Sequence, residues 1–299
     1  MRCQTVLRSA LTAALVGACF LTPSGRLLRA EAIWNYDFGT GTGVVTSGES
    51  TTFLPTPAPD GGTARVRVGA GGGGFALVNP GVGRSSLVAT ASSSTSVNKF
   101  SIYDYSGSDL FTLEAEVTFQ GGSSGSWYLL VGNGSSFSDG TSFDRTEVFS
   151  GLRWDFESDG GLTTSRLSSS GNWLTTNVPS MVQDTTYRLK IYGNNTPNAI
   201  DHAGLRLEPA TWDVLIDGVV AGSGLAKGGL ADSTPIDSFM FNGSGSAGNA
   251  ATLTLNSVTY ANVLAPEPHA WMLAAVGVAC CWGARIANKR RKNGISGGL

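Results

Sequence analysis

The stretch that decides the fold is Phe111-Thr-Leu-Glu-Ala-Glu-Val-Thr-Phe119. Its apolar residues occupy every second position, and Thr or Glu fills each position between them. A period of two is that of a β-strand, because successive side chains of a strand point to opposite faces of its sheet. The stretch therefore predicts a strand with one face in a core and the other face toward solvent.

Similar patterns continue on both sides of this strand. Upstream, strand patterns occur at 35–38, 65–68 and 75–78, and residues typical of loops occur at 55–62 and 69–74. Downstream, strand patterns fall at 127–131, 148–156, 162–167, 186–192, 212–217, 238–241 and 251–260. Asp217-Gly218 between two apolar runs predicts a tight hairpin. No stretch between residues 33 and 264 has helical periodicity, so the sequence predicts an all-β sandwich of about 12 to 14 strands.

The composition agrees with one packed β domain. The chain has 41 Gly residues and only 14% charged residues, which is typical of short strands joined by many polar turns. Its 13 Phe, 7 Trp and 7 Tyr residues and 41% hydrophobic content favour a packed core over disorder. We expect residues 33–264 to form a single domain.

The charge of this domain excludes one class of partner. Between residues 33 and 265 the sequence has 20 Asp and Glu against 11 Lys and Arg, which gives a net charge near −9. An acidic surface repels phosphate backbones. We therefore expect no nucleic-acid partner.

The N-terminus has the pattern of a signal peptide. Arg2 and Arg8 flank the start of an apolar run at 10–21, and an Ala-x-Ala pattern occupies residues 30–32. The run is too short to span a bilayer. Residues 1–32 are therefore predicted to be a removable leader.

The cysteines lie outside the predicted domain. Cys3 and Cys19 fall in the leader, and Cys280 and Cys281 fall near the C-terminus. The domain therefore has no disulfide framework, no Cys ligand for zinc and no thiol nucleophile. Residues 16–19 loosely resemble a lipobox, in which Cys19 would be lipidated, but the Ala-x-Ala site fits better.

The C-terminal segment, residues 265–299, has three parts. Pro266, Glu267 and Pro268 come first, an apolar stretch at 271–287 begins with Trp271, and a basic cluster follows at 285–292. The cluster contains Arg285, Lys289, Arg290, Arg291 and Lys292. As a helix the apolar stretch would be about 25 Å long, slightly less than a bilayer core. The basic cluster predicts that the domain lies on the outer side of the membrane.

This order of parts resembles the PEP-CTERM sorting signal of Gram-negative bacteria that make extracellular polysaccharide. In that family the Pro-Glu-Pro motif is recognised by an exosortase, a membrane-embedded cysteine protease. The resemblance implies a membrane-anchored precursor that is later processed at this motif. The alternative is an ordinary single-pass anchor without processing, which leaves the Pro-Glu-Pro motif unexplained.

A second resemblance concerns the domain. Strand patterns at 111–119 and 187–191, the hairpin at 212–219 and the strand at 253–258 follow one another as in a concanavalin A-like, laminin-G-type jelly roll. The resemblance covers about residues 100–263. It implies this fold but no single activity, because the fold is found in lectins, adhesion modules and glycosidases.

Glu114 and Glu116 are the best pair of candidate catalytic carboxylates. On one strand they would point to the same face, roughly 6.5–7 Å apart, which is within the range that glycosidases use. Glycosidases of this fold carry a third acidic residue at the position that Phe119 occupies here. A solvated strand face is therefore the favoured interpretation.

Acidic turns offer candidate calcium ligands, since laminin-G-type domains often bind this ion. The candidates are Asp139, Asp144, Asp155, Glu157 and Asp159. An EF-hand loop starting at Asp155 would need Glu where Arg166 stands. The sequence leaves calcium open and predicts no other cofactor.

Among the tryptophans, Trp173 is the candidate ligand-binding residue. Trp127, Trp154 and Trp212 lie within strand patterns and are predicted to be core residues. Trp173 is flanked by turn residues, so we expect it at the surface. His202 beside Asp201 completes no catalytic triad and is interpreted as a surface loop residue.

Together these patterns predict an exported, non-catalytic protein of the cell surface or extracellular matrix. Its expected partners are an exosortase-type protease, the membrane and extracellular polysaccharide or other envelope components. One alternative is a secreted glycoside-active enzyme that uses Glu114 and Glu116. Another is a purely structural coat protein.

Overall fold

The computed structural model describes residues 31–93, 96–139, 143–176, 178–202, 204–245 and 251–265. These residues form 20 strands, one helical turn and one 3₁₀ turn. The strands are β1 (Ile33–Tyr36), β2 (Gly43–Val45), β3 (Gly48–Ser50), β4 (Thr63–Val68), β5 (Gly74–Val78), β6 (Ser86–Thr90), β7 (Asn98–Tyr103), β8 (Leu110–Gln120), β9 (Ser126–Gly132), β10 (Val148–Phe156), β11 (Gly161–Leu167), β12 (Trp173–Thr175), β13 (Met181–Val182), β14 (Thr186–Asn194), β15 (Ile200–His202), β16 (Leu205–Leu207), β17 (Thr211–Ile216), β18 (Val219–Ala226), β19 (Ser238–Ser244) and β20 (Thr252–Ala261). The helical turn α1 is Ser135–Ser138, and the 3₁₀ turn is Arg145–Glu147.

Eighteen of the strands form two antiparallel sheets of nine strands each. Sheet I has the order β18-β17-β14-β8-β20-β6-β5-β2, and β1 also pairs with β20. Sheet II has the order β12-β11-β10-β9-β19-β7-β4-β3, and β13 also pairs with β11. The remaining two strands, β15 and β16, form a separate hairpin.

One apolar core joins the inner faces of the two sheets. It includes the residues of β8 at positions 111, 113, 115, 117 and 119, as the alternation of that strand predicts. Trp127, Trp154 and Trp212 are fully buried in this core, which confirms their prediction as core residues. The chain is therefore an antiparallel β-sandwich.

The sequence located the longer strands well but undercounted the short ones. The predicted strand at 148–156 matches β10, and the Asp217-Gly218 hairpin is confirmed, with both residues at positive φ of 51° and 80°. The prediction of 12 to 14 strands was too low. Strands of two to four residues, such as β2, β3 and β13, are too short to show a period of two.

A smaller apolar cluster lies on the outer face of each sheet. On sheet II, Phe137 of α1 packs with Leu130, Val148, Leu167 and Met240. On sheet I, Leu207 of β16 packs with Tyr192 and Leu215. Each outer face is thus partly covered by one connecting segment and partly open.

In the part of the chain that the structure describes, no helix is long and apolar enough to cross a membrane. Residues 1–30 of the predicted leader at 1–32, the Pro-Glu-Pro motif, the apolar stretch at 271–287 and the basic cluster lie outside the described residues. Those assignments stay predictions.

Candidate functional site

A row of polar side chains crosses the outer side of sheet II, and its two middle members, Lys99 and Asn242, are buried. Directly paired residues on successive strands place Arg67 beside Lys99, Lys99 beside Asn242, Asn242 beside Tyr128, and Tyr128 beside Arg153. The neighbours of these residues along each strand are core residues, for example Phe100, Phe241 and Leu129. We call this surface, from Arg67 to Arg153 with the adjoining residues of β11 and β12, the sheet II face.

An aromatic cluster lies at the β12 end of the sheet II face. Trp173 is half-buried, and its ring centroid lies 5.3 Å from that of Tyr128 and 6.4 Å from that of Phe143. Tyr128 and Phe143 are also half-buried and lie 6.4 Å apart. Partly exposed rings that hold one another in place form a rigid apolar platform on a polar surface. The structure thus places Trp173 where part of its ring remains accessible.

Arg153 borders this platform. Its guanidinium carbon lies 5.6 Å from the centroid of the Tyr128 ring, and its Nε donates to Asp155 Oδ1 over 2.7 Å. Ser126 Oγ donates to the same carboxylate oxygen over 2.5 Å. These contacts fix the orientation of Arg153 while leaving 31% of its side chain exposed. A fixed guanidinium beside an aromatic ring suits recognition of hydroxyl or carboxylate oxygens.

Three cations gather at the β4 end of the face. Arg67 Nη1 donates to the carbonyl of Asp139 over 3.0 Å, and Lys99 Nζ donates to the carbonyl of Ser136 over 2.6 Å. Arg65 forms an ion pair with Glu49 at 3.3 Å. Burial, and next the neighbouring charges of Arg65 and Arg67, lower the pKa of Lys99 to about 8.

Several buried polar atoms near these cations have no hydrogen-bond partner among the described residues. They are Arg65 Nε, Ser101 Oγ and Asn242 Oδ1. Ser101 is paired with Arg65 across the strands, and Asn242 is paired with Lys99. Unsatisfied buried groups cost free energy, so these atoms are places where the fold is locally less stable.

Gly151 makes room for the platform. A Cβ atom at this position would lie 2.9 Å from Leu130 Cδ2, 3.0 Å from Leu167 Cβ and 3.5 Å from Trp173 Cη2. Contacts below 3.4 Å force neighbours to move. A methyl group at Gly151 would therefore displace Leu130 or Leu167 beneath the platform, while its distance from the Trp173 ring would be an ordinary contact.

Glu114 and Glu116 lie on the outer face of sheet I, as their spacing predicts. Glu114 accepts a short hydrogen bond from Arg188 and forms an ion pair with Lys190 at 3.4 Å. Glu116 accepts from Asn256 Nδ2 over 2.7 Å. Both carboxylates are thus engaged by neighbours on adjacent strands, which is the pattern of an ion-pair network on a strand face.

The five candidate calcium ligands do not converge. Asp155 binds Arg153 and Ser126, Asp159 Oδ1 accepts from the amide of Gly161, and Asp144 Oδ1 accepts from the amide and hydroxyl of Thr146. These last two bonds hold the pKa of Asp144 below its usual value. Asp139 contributes its carbonyl to the arginines, and Glu157 is exposed. The described residues contain no group of three or more His, Cys, Asp or Glu side chains that could hold a metal ion.

His202 is not in a loop, as its sequence context suggested, but on β15. Its Nε2 lies 3.0 Å from the carbonyl of Ala265, and its ring lies 5.0 Å from that of Tyr192. Thr112 Oγ1 accepts from the amide of Ala265 over 2.8 Å. The contacts hold the last described residues against sheet I. The prediction failed because the β15–β16 hairpin is too short to show a periodic pattern.

Three-dimensional comparison finds solved structures of low similarity to this chain. A carbohydrate esterase of the Shiga toxin-encoding bacteriophage phi24B has a TM-score of 0.44 and 12% identity, covering 73% of this chain and 99% of the esterase. The carbohydrate recognition domain of Emp46p, in a potassium-bound form, has a TM-score of 0.35 and 14% identity over 60% of this chain and 84% of its own. Cellulose-induced protein Cip1 has a TM-score of 0.39 and 12% identity over 82% of this chain and 97% of its own.

None of these proteins is similar enough to transfer its activity to this chain. No protein-family profile matches the chain, and no curated protein is similar to it in sequence.

Sequence reasoning singled out Trp173 as a candidate but did not identify Tyr128, Phe143 and Arg153 around it. Tyr128, Arg153, Arg67 and Lys99 lie on four different strands, far apart in the chain. Because these residues alternate with apolar residues, the sequence could have predicted that their side chains point away from the core. Only the pairing of the strands brings them into one row.

Proposed function

We propose that this chain is an exported, non-catalytic protein of the cell surface or extracellular matrix that binds glycan through the sheet II face. The observation that carries the proposal is the platform of Trp173, Tyr128 and Phe143 beside the fixed guanidinium of Arg153. Sugar rings stack on such aromatic faces through their C–H groups, and the partly exposed Arg153 offers donors for their hydroxyls. In fold terms, we assign the sandwich to the concanavalin A-like jelly rolls.

The direct test is retention on polysaccharide gels. Trp173→Ala removes the centre of the platform and should weaken retention of the full-length chain on order of tenfold, because an aromatic contact contributes about 1–2 kcal/mol. Leu174→Ala is the matched control, since Leu174 is the next residue of the same strand and is also exposed. Equal retention of the two variants and the parent would contradict the proposal.

The non-catalytic assignment rests on how the carboxylates are engaged. A glycosidase needs one carboxyl group that is free to give a proton and another that is free to attack or to activate water. Glu114 is held by two cations, and Glu116 accepts from Asn256. We expect no release of reducing ends from bound glycans. Release that disappears in Glu116→Gln would instead establish the enzyme.

The proposed location rests on the two terminal sequence patterns. We propose export behind the leader at 1–32, temporary anchoring by the apolar stretch at 271–287, and processing by an exosortase-type protease at Pro266-Glu267-Pro268. The test is the intact mass and fractionation of the protein from its host, with and without Pro266→Ala. A shortened, released species that requires Pro266 supports sorting, and an uncut membrane-bound chain in both cases contradicts it.

A further inference from the structure

The chain continues past its last strand as a short segment, residues 262–265, which we call the strap. β20 ends at Ala261, and the strap is not part of any strand. All four of its residues are nevertheless buried or half-buried, and Leu264 packs against the outer apolar cluster of sheet I that contains Leu207. Irregular segments normally run over the surface, where water satisfies their backbone groups. The burial of the strap therefore needs a local cause.

Asn262 fixes the beginning of the strap. Its side-chain Oδ1 accepts from the amide of Ala32 over 2.7 Å, and its Nδ2 donates to the carbonyl of Ser106 over 2.7 Å. The carbonyl of Asn262 accepts from Ser108 Oγ over 2.6 Å. These bonds tie the strap to the residue before β1 and to the connection between β7 and β8.

Three side chains hold the other end of the strap. Thr112 Oγ1 donates to the carbonyl of Val263 over 2.8 Å and accepts from the amide of Ala265 over 2.8 Å. The Tyr192 hydroxyl and His202 Nε2 both donate to the carbonyl of Ala265, over 3.2 Å and 3.0 Å. Thr112 and Tyr192 come from adjacent strands of sheet I, and His202 comes from the β15–β16 hairpin. We call these three side chains the clamp.

The clamp satisfies backbone groups that a neighbouring strand would satisfy in a sheet. A protease cuts a peptide bond only after the chain around it has left its folded contacts. Detachment of the strap breaks the bonds to the clamp and exposes Leu264, so the detached state is rarely populated. The peptide bonds of the strap should therefore resist proteolysis, although β20 ends before them.

We propose that the clamp fixes the C-terminal boundary of the folded domain at Ala265, so that a protease which removes the C-terminal segment cuts beyond this residue. This inference goes beyond glycan binding, and it requires neither a glycan nor an exosortase. It gives the β15–β16 hairpin a role, because His202 holds the residue that directly precedes Pro266-Glu267-Pro268. The strap then stays on the domain after processing.

The test is limited proteolysis of the full-length chain in detergent with proteinase K, which cuts with little sequence preference. The intact masses of the fragments give their C-terminal residues. We expect a persistent fragment that ends at Ala265 or shortly beyond it. A chain that is trimmed as rapidly to Ala261 as to Ala265 would overturn the proposal, because the strap would then give no protection.

Matched variants assign the protection to the clamp. Thr112→Val keeps the shape of the side chain but removes its bonds to Val263 and Ala265, so trimming of the strap should be on the order of tenfold faster. Thr118→Val is the control, because Thr118 lies on the same face of β8 and bonds Thr186 instead of the strap. Trimming of Thr118→Val should match that of the parent.

A second clamp variant guards against misfolding. His202→Ala changes a half-buried side chain and removes one bond to Ala265, so trimming should be a few-fold faster. Thermal unfolding shows which variants remain folded at the temperature of digestion. Faster trimming in the folded clamp variants alone supports the proposal. Parent-like trimming in His202→Ala and Thr112→Val, or equal acceleration in Thr118→Val, would overturn it and leave the glycan-binding proposal untouched.

Discussion

The two outer faces of the sandwich are built from the same alternating pattern but differ in what their partly exposed side chains form. On sheet I, Glu114 pairs with Arg188 and Lys190, so acids and bases of adjacent strands neutralise one another. On sheet II, the partly exposed rings of Trp173, Tyr128 and Phe143 form a cluster beside Arg153. One face presents an ion-pair network, and the other presents an aromatic platform.

This difference shows that a strand pattern predicts which side chains face outward but not what they do there. In the sequence, Glu114 and Glu116 were the best candidates for catalytic carboxylates. The structure places cations beside Glu114 and an amide beside Glu116. Trp173 looked like an isolated surface residue, yet the structure surrounds it with Tyr128, Phe143 and Arg153. Matched substitutions on each face test whether the two faces differ in function.

The largest expected effect comes from the segments that cover the two faces. Phe137→Ala on sheet II and Leu207→Ala on sheet I each remove a fully buried side chain from an outer cluster. Each should lower the free energy of unfolding by about 3 kcal/mol, because both leave a cavity. Only Phe137→Ala should also weaken glycan binding, since Tyr128, Phe143 and Trp173 pack against the cluster that contains Phe137. Denaturant unfolding and gel retention measure the two effects.

If Leu207→Ala reduced glycan retention as strongly as Phe137→Ala, the functional difference between the faces would be disproved. Equal stability losses with unequal binding losses would support it. The two variants are therefore compared at a temperature at which both remain folded.

A smaller effect is expected from Gly151→Ala. The added methyl group would lie too close to Leu130 and Leu167, and a shift of these side chains would disturb the cluster against which Trp173 packs. We expect a destabilisation of about 1–2 kcal/mol and a few-fold loss of glycan affinity. The matched control is Gly222→Ala on sheet I, where a Cβ would meet Leu225 at 3.1 Å and Val214 at 3.2 Å. Unchanged affinity in Gly151→Ala would show that the position of Trp173 does not matter.

The smallest effect is a pH dependence of stability. Because the pKa of Lys99 is lowered to about 8 in the folded protein, the unfolded chain holds more protons than the folded chain between about pH 8 and pH 10. The titration of Lys99 should therefore make the free energy of unfolding rise with pH in this window. Above about pH 10 burial keeps Tyr36, Tyr105 and Tyr260 protonated in the fold, which reverses the trend.

Lys99→Met removes the contribution of Lys99 to the pH dependence of the free energy of unfolding. The rise between pH 8 and pH 10 should be smaller in this variant, and the decline above pH 10 should be the same, because the tyrosines are untouched. Chemical denaturation at a series of pH values gives both curves. Parallel curves for the parent and the variant across the window would contradict the assigned pKa of Lys99.

The sequence predicted the architecture from local signals and failed where the signals are not local. The alternation at 111–119 and the hairpin at Asp217-Gly218 are local, and the structure has both. Arg67 and Arg153, in contrast, lie 86 positions apart and share a face only because β7, β19 and β9 lie between their strands. That order follows from how the chain crosses between two sheets, which no short window of sequence contains.

The most direct test of the account is hydroxyl-radical footprinting of the full-length chain with and without a polysaccharide that it retains on gels. The account predicts protection of Trp173, Tyr128 and Phe143 on the sheet II face. It predicts unchanged reactivity of Val219 and Val220, the exposed residues at the edge of sheet I. Protection of sheet I residues with Trp173 still reactive would contradict the central claim that sheet II is the glycan-binding face.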